Sequence, residues 1–331
     1  MRDSWRTMST ATASDPSPPR FVRADGPDKV TGSGRYTADL TLTGMLAAKF
    51  RYAGVAHARI TRLDTTAARA IPGVFAVLTQ ADVPDVRYGG MVFDRTLFAK
   101  DVVRFEGEVV AAVAAIDAAT AQRAVDAIVV EYESLPVVND PEAALAPGAP
   151  LVHPEWESYG AFRKLVRQGN DASYASIAKG DIDAGLAAAD VVVTSRYHAD
   201  GSHAAPIEPR SVVAQWEGEK VTIWSSSQGH FMVRDMTAQL TGAKLSDVRA
   251  IPAEIGGGFG GKTTVFIEPV ALALSRKANK PVKIVLSREE VFRASGPTSG
   301  ANIWVKIGAK KNGKIVAGEG ILKYQAGAFQ G

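Results

Sequence analysis

Short apolar and alternating runs dominate the N-terminal part of the chain. Residues 118–126 have a helical composition and interrupt these runs. The runs have strand length and lie at residues 45–52, 59–63, 74–79, 108–115 and 127–132. This alternation predicts a compact α/β unit that ends near residue 138.

The next stretch, residues 139–156, holds four prolines and one glycine and shows little periodicity. Such a composition is typical of a linker. We therefore expect a break between two domains here.

Strands and helices resume after this stretch. Residues 182–188 and 231–240 predict helices, and Met232, Met236 and Leu240 form a stripe that favours the core. Residues 191–197 predict a strand. Two hairpins are expected around turn-forming segments, the first from residues 211–216 and 221–226 and the second from residues 303–307 and 314–324.

These patterns together predict a mixed α+β fold. We expect a disordered arm over residues 1–22, an α/β domain over 23–138, a linker over 139–156 and a second domain over 157–331.

A glycine-rich segment is the strongest candidate for chemistry. Residues 256–263, here called the glycine loop, read GGGFGGKT and lie between an extended run at 248–251 and a helical run at 264–277. Glycines let main-chain N–H groups approach a ligand closely. We expect these amides to lie at the start of a helix, where anions are favoured.

One interpretation of the loop is a nucleotide-binding P-loop. Gly256, Gly261, Lys262 and Thr263 satisfy the spacing G-x-x-x-x-G-K-[ST]. The next apolar run, residues 281–286, does not end in the aspartate that would hold magnesium, and the flanking strands look like hairpins. A nucleotide is therefore the weaker alternative.

The other interpretation rests on resemblance. GGGFGGK at residues 256–262, QGHFMVRD at 228–235 and HAAPIEPR at 203–210 resemble the molybdenum-cofactor-binding subunit of the xanthine dehydrogenase and aldehyde oxidase family. Three further segments resemble the α/β hammerhead domain that opens those subunits: DKVTGSGRYTADL, HARI and IPGVFAVLTQADVP. The resemblance runs from about residue 23 to residue 331.

This resemblance implies a molybdenum hydroxylase, which hydroxylates a carbon centre with oxygen from water. The implied cofactor is molybdenum–molybdopterin, with the cytosine dinucleotide as one form of the pterin. Electrons would leave through 2Fe–2S clusters to FAD on partner subunits, and the substrate would be a small molecule. A chain with the fold but without catalysis, a scaffold subunit, stays open as an alternative.

The resemblance also implies roles for individual residues. Gln228 matches the glutamine whose amide donates to an oxo ligand of the metal, and the backbone of Phe259 and Gly260 would lie against the metal's ligands. Gly258 and Gly261 would permit that close approach. No direct protein ligand to the metal is implied.

The resemblance bears on neighbouring positions as well. Lys262 is either solvated or ion-paired, or it contacts the cofactor, and Glu208 is expected to pair with Arg210. Thr263 stands where purine-oxidising members have a glutamate, which disfavours xanthine as the substrate. His230 and His203 are expected to be hydrogen-bonding groups of the core.

The family subunits are much longer, and residues 325–331 resemble a segment in their middle. We expect a second molybdopterin-binding polypeptide to supply the C-terminal half, including the glutamate that acts as general base. A fragment of a longer chain is the alternative.

Composition narrows the function classes. There are 38 basic and 35 acidic residues and no basic run interleaved with aromatics, so nucleic acid binding has little support. Cysteine is absent, which excludes disulfides and a Cys-ligated iron–sulfur cluster in this chain. No apolar run approaches a membrane span, and residues 1–22 lack the apolar core of a secretory signal, so we expect a cytoplasmic protein.

Overall fold

The structure is a computed structural model that describes residues 23–162 and 164–330. The chain divides into two compact units, Met1–Arg35 and Tyr36–Gly331. The predicted disordered arm, residues 1–22, lies outside the described residues. In the first unit the helix α1 (Gly26–Thr31) ends at Gly32, whose φ of 76° suits a residue without Cβ.

The second unit mixes strands and helices, as predicted. Its strands in chain order are β1 (Leu46–Tyr52), β2 (Ala58–Asp64), β3 (Val74–Leu78), β4 (Val102–Val103), β5 (Val109–Ala115), β6 (Val129–Ser134), β7 (Val166–Gln168), β8 (Asp171–Tyr174), β9 (Val191–Ala199), β10 (Ser211–Glu217), β11 (Lys220–Ser225), β12 (Val248–Pro252), β13 (Val282–Val285), β14 (Ala301–Ala309) and β15 (Ile315–Tyr324). Its α-helices are α2 (Thr66–Arg69), α3 (Ala118–Asp126), α4 (Pro141–Ala144), α5 (Ile182–Ala187), α6 (His230–Thr241), α7 (Ile267–Ala278) and α8 (Arg288–Ala294).

The largest sheet has seven strands in the order β12-β11-β10-β13-β1-β5-β3. Strands β12, β11, β13 and β1 run in one direction, because β11 pairs with β12 and β1 pairs with β13 in parallel, while β10 is antiparallel to both β11 and β13. The sheet therefore joins strands from both stretches predicted as domains. The boundaries at 138 and 157 stay predictions.

The sheet is covered on both faces. Strand β5 reads VVAAVAA and is fully buried, as expected of a strand between two layers. Ala112 and Ala114 face the main core with Val270 and Leu274 of α7, whereas Ala111 and Val113 face a second cluster with Ala124 and Val125 of α3. Helix α7, which follows the glycine loop in the chain, thereby packs directly on the sheet.

Three smaller sheets complete the fold: β15-β14-β9, β4-β2-β6 and the hairpin β7-β8. The hairpins β10–β11 and β14–β15 form as predicted. Among the described residues, every helix is too short or too polar to cross a lipid bilayer.

Two local predictions are wrong. Helix α7 begins at Ile267, not at residue 264, because Pro269 lacks an N–H and is tolerated only in the first turn. The buried stripe of α6 includes Val233, Thr237 and Leu240, so Met232 points to solvent and is not part of the core.

Candidate functional site

The candidate site lies at the end of the large sheet where the carboxyl ends of β11, β12 and β13 meet. Gln228 follows β11, the glycine loop follows β12, and Arg288 follows β13. Glu208 precedes β10, whose start lies beside the end of β11 because the two strands are antiparallel. Ligands of open α/β sheets bind at such an edge.

The glycine loop has an irregular backbone. Gly257, Phe259 and Gly260 have φ values of 95°, 51° and 87°. A bulky residue with positive φ is uncommon and costs conformational energy. The Phe259 side chain is also 73% exposed. Strain and an exposed aromatic ring in one residue are typical of a segment shaped for binding.

Gln228 contacts this loop directly. Its Oε1 accepts hydrogen bonds from the backbone N–H of Gly260 at 3.1 Å and of Lys262 at 3.2 Å. Two N–H donors fix the orientation of the amide, since the oxygen must face them. Nε2 therefore faces away from these two N–H groups, and no described residue accepts a hydrogen bond from it.

Gly258 is required where Gln228 packs. A Cβ at this position would lie 2.4 Å from Oε1 and 2.5 Å from Cδ of Gln228. No larger side chain fits unless the glutamine moves.

Several loop amides are unused. The N–H groups of Gly257, Gly258 and Phe259 donate to none of the described residues, whereas that of Gly261 donates to the Gly258 carbonyl at 2.7 Å. Successive N–H groups in a backbone of alternating handedness form an anion-binding concavity. The loop thus offers neutral hydrogen-bond donors to a ligand, and Gln228 Nε2 adds another.

Lys262 holds the other side of the loop. Its side chain is 1% exposed, and its Nζ lies 2.7 Å from Oε2 of Glu208, which also accepts from the Gly256 N–H at 2.7 Å. Burial lowers the pKa of Lys262, and the adjacent Glu208 carboxylate opposes that shift. Of the alternatives for Lys262, the structure shows the ion pair, buried and not solvated.

The expected pairing of Glu208 with Arg210 is wrong. Arg210 instead faces Glu268 of α7 at 4.0 Å and donates to the Thr264 carbonyl. In an extended chain residues two apart point to the same side, but here the chain bends at residues 207 and 208, ahead of β10, which begins at Ser211. Each of the two residues therefore pairs with a separate element.

The geometry also weakens the P-loop interpretation. In a P-loop the lysine reaches the phosphates, but here it is buried against Glu208. The loop does not begin a helix, since α7 starts later and the Glu268 carboxylate accepts from the Phe266 N–H at 3.1 Å. One sequence argument against the P-loop does not hold, however: β12, the strand before the loop, was wrongly predicted as part of a hairpin, since it is parallel to β11 and α6 connects the two strands.

Two supporting residues were missed from sequence. Arg288 donates to the carbonyls of Pro206 and Ile207 at 2.6 and 2.8 Å and so holds the segment that carries Glu208. Glu268 accepts from Ser225 Oγ at 2.7 Å beneath the site. A lone acid inside the apolar run VFIEPVALAL was the available signal for Glu268.

The rim of the site is apolar and open. Large exposed hydrophobic side chains within residues 203–210, 228–235 and 256–263 are those of Ile207, Phe231, Met232 and Phe259. The two histidines nearby are hydrogen-bonded within the protein, since His203 contacts Ser295 and His230 contacts the Ser225 carbonyl. Exposed apolar groups around unused donors indicate a ligand or a partner above the loop.

A separate cavity of about 370 Å³ lies away from the glycine loop. Glu108 lines it and accepts from the Arg104 N–H at 2.6 Å. Burial raises the pKa of Glu108 to about 7. Nearby, burial also raises the pKa of Asp94 to about 6 and lowers that of His153 to about 4.

Glu108 gives the fold a pH dependence. Between pH 4.5 and 7 the folded chain holds a proton on Glu108 that the unfolded chain releases, so the free energy of unfolding falls as pH rises, by at most about 3 kcal/mol. Glu108→Gln should remove this loss. Urea unfolding of both proteins at pH 5 and pH 7.5 measures the difference, in which the shared contributions of His153 and Asp94 cancel. Equal pH dependence in both would contradict the assignment.

Two protein-family models match this chain, and both belong to cofactor-dependent molybdenum enzymes. Residues 166–331 match the molybdopterin cofactor-binding domain, and residues 31–136 match the aldehyde oxidase and xanthine dehydrogenase a/b hammerhead domain. A probable xanthine dehydrogenase polypeptide of Bacillus subtilis is 32% identical, covering 94% of this chain and 40% of the relative. The nicotinate dehydrogenase large molybdopterin subunit of Eubacterium barkeri is 33% identical, covering 93% of this chain and 70% of the relative.

A solved structure shows the same architecture. CO dehydrogenase from Oligotropha carboxidovorans superposes with a TM-score of 0.80 at 30% identity, over 91% of this chain and 39% of that chain. The chain thus spans about two fifths of the length of most of these relatives. The predicted fold class, a hammerhead-like domain followed by a molybdopterin-binding domain, is confirmed, and the chain belongs to the xanthine dehydrogenase and aldehyde oxidase family of molybdenum enzymes.

Proposed function

We propose that the chain is the molybdopterin-binding subunit of a multi-subunit molybdenum hydroxylase. The observation that carries the proposal is the glycine loop with its unused N–H groups beside the free Nε2 of Gln228. Molybdenum–molybdopterin, including its cytosine dinucleotide form, would supply the oxidation of a carbon centre with oxygen from water.

The residues of the site fit this group. Oxo and phosphate groups accept hydrogen bonds, and the loop offers neutral donors in a fixed arrangement. Gln228 adds a directional donor without adding charge. Gly258 leaves room for Gln228, Phe259 and Gly260 present their backbone at the exposed surface of the loop, and Gly261 closes the turn through its bond to the Gly258 carbonyl. We assign these five residues to cofactor binding, with Gln228 and Phe259 beside the metal's ligands.

The site needs a second polypeptide in this proposal. The rim around the loop is open, and no residue of this chain is assigned as the general base; that role falls to a glutamate of the partner. This chain covers 70% of the Eubacterium barkeri subunit but 40% of the Bacillus subtilis relative. The first of these two relatives is therefore the shorter protein. Pterin-binding polypeptides of different length therefore occur in the family, which supports division of the fold between two chains.

Electrons must then leave through other subunits. This chain has no cysteine, so a Cys-ligated 2Fe–2S cluster would belong to a partner, and FAD to another. The substrate is a small molecule with an electrophilic carbon. A purine is disfavoured, because Thr263 cannot replace a carboxylate and its hydroxyl already donates to the Gly260 carbonyl at 2.7 Å.

Two variants of Gln228 test the proposal. Gln228→Glu keeps an oxygen that accepts from the loop amides and replaces the Nε2 donor by an acceptor. We expect turnover of the purified complex to fall by about 100-fold while bound pterin stays close to the wild-type amount. Gln228→Ala should lower both, because the loop also loses its acceptor.

The control for both variants is the set of subunits that co-purify with the chain, which should be the same as in the wild-type complex. Full turnover in Gln228→Glu would contradict the role of Nε2 and would favour a non-catalytic scaffold.

A further inference from the structure

The three-stranded sheet β15-β14-β9 has two unlike faces. Cross-strand pairing places Tyr197, Ile303 and Leu322 in one row and Val193, Ile307 and Gly318 in another row on the same side. This side, here called the apolar face, consists of Val191, Val193, Ser195, Tyr197, Ile303, Val305, Ile307, Ile315, Gly318, Gly320, Leu322 and Tyr324. None of these residues is charged.

The opposite side, here called the polar face, carries all the charged side chains of the paired strands: Arg196, Lys306, Glu319 and Lys323, with Thr194, His198 and Asn302. It also carries Val192, Trp304, Ala317 and Ile321, so the two faces differ in charge and not in the presence of apolar residues. Helix α5 packs on the polar face. A Cβ at Gly308 would lie 3.3 Å from Leu186, and a Cβ at Gly185 would lie 3.1 Å from the Ala317 side chain. The helix therefore covers part of the charged side and leaves the apolar side open.

Many side chains of the apolar face are exposed. Val193, Tyr197 and Leu322 are 57%, 59% and 54% exposed, and no described heavy atom lies within 4 Å of a Cβ built on Gly318. Contiguous apolar patches of this kind on a monomer mark a protein interface. Gly318 and Gly320 add no side chain, so a partner can approach the strands closely.

We propose that the apolar face binds the polypeptide that supplies the rest of the molybdopterin-binding fold. This inference rests on the function proposed above. The sheet lies inside residues 166–331, which match the cofactor-binding domain, and the longer relatives carry much additional polypeptide, since this chain covers 39–40% of them.

The chemistry of the face favours this occupant over an electron-transfer subunit. Permanent interfaces resemble a domain core and are more hydrophobic, whereas electron-transfer contacts are small. An uncharged row of Val, Ile, Leu and Tyr fits a partner that stays bound. The iron–sulfur and flavin subunits would then bind elsewhere.

Photo-crosslinking in the native complex tests the inference. Photoreactive benzoylphenylalanine replaces Tyr197 on the apolar face or, as the matched control, Arg196 on the polar face of the same strand. The complex is isolated through a tag on this chain, irradiated and analysed by peptide mass spectrometry. We expect adducts from position 197 to peptides that match the later part of the molybdopterin-binding large subunits, and at least fivefold fewer from position 196.

Adducts from position 197 to a second copy of this chain, to the iron–sulfur or flavin polypeptide, or to nothing would overturn the inference. The molybdenum content of the same preparation is measured in parallel. Adducts to the expected polypeptide in a complex without molybdenum would refute the proposed function and leave the docking surface supported.

A charge introduced on either face gives a second measurement. Tyr197→Asp should lower the amount of co-purified partner at least tenfold, and Thr194→Asp, on the polar face, should leave it within twofold of wild type. Both positions are exposed, so the unfolding midpoints of the isolated variants should match. Equal recovery of partner with both variants would contradict the inference.

Discussion

Gly258→Ala is expected to lower bound pterin and turnover of the purified complex by about 10- to 100-fold. The new methyl carbon would lie 2.4 Å from Gln228 Oε1, far inside van der Waals contact. The glutamine must move, because Gly258 is buried and its backbone cannot shift freely. The N–H groups of Gly260 and Lys262 then lose their shared acceptor, and the loop loses its shape.

The clash of the new methyl group is local, so the loss of bound pterin can be measured separately from any loss of folding. Gly296→Ala is the matched control, since no heavy atom lies within 4 Å of a Cβ built there. Pterin released from each purified complex is measured by fluorescence after oxidation. Normal pterin and turnover in Gly258→Ala would show that the contact between Gly258 and Gln228 does not determine the site.

Lys262→Met is expected to destabilise the chain by about 3 to 5 kcal/mol. The methionine fills a similar volume but leaves Glu208 without its cation. The Glu208 side chain is only 10% exposed, and its Oε1 already lacks a hydrogen-bond partner among the described residues. A carboxylate in that position is costly unless it is paired.

The double variant Lys262→Met, Glu208→Gln isolates the pair. Glutamine keeps an oxygen for the Gly256 N–H and carries no charge, so we expect the double variant to recover at least half of the lost stability. Urea unfolding of the isolated wild-type chain, of Lys262→Met, of Glu208→Gln and of the double variant gives the four free energies of the cycle. A loss below about 1 kcal/mol in Lys262→Met would mean that the pair is effectively solvated.

Local signals predicted most elements of the fold. Residues 118–126 were predicted as a helix and form α3 (Ala118–Asp126), which Asp117 caps by accepting from the Thr120 N–H. The turn segment around Gly313 predicted the β14–β15 hairpin for a similar reason. Propensity, capping and turn chemistry act over a few residues, so the sequence displays them directly.

Contacts between residues far apart in the chain could not be predicted from such local signals. Lys262 and Glu208 are 54 positions apart, and nothing local in either segment favours this pair over Glu208 with Arg210. The parallel pairing of β12 with β11 depends on how α6 packs. The late start of α7 was available from Pro269, which cannot occupy a helix interior.

The candidate site was partly predictable. The motifs around Gln228 and Phe259 pointed to residues that the fold brings together, because both follow strands that end at the same edge of the sheet. The contact of Gln228 Oε1 with the loop amides, and the resulting freedom of Nε2, required the structure.

The most direct test of the central claim is metal and pterin analysis of the intact complex, isolated through a tag on this chain. We expect close to one molybdenum per copy of the chain, together with an extractable molybdopterin. A fully assembled complex that contains neither molybdenum nor pterin would contradict the account.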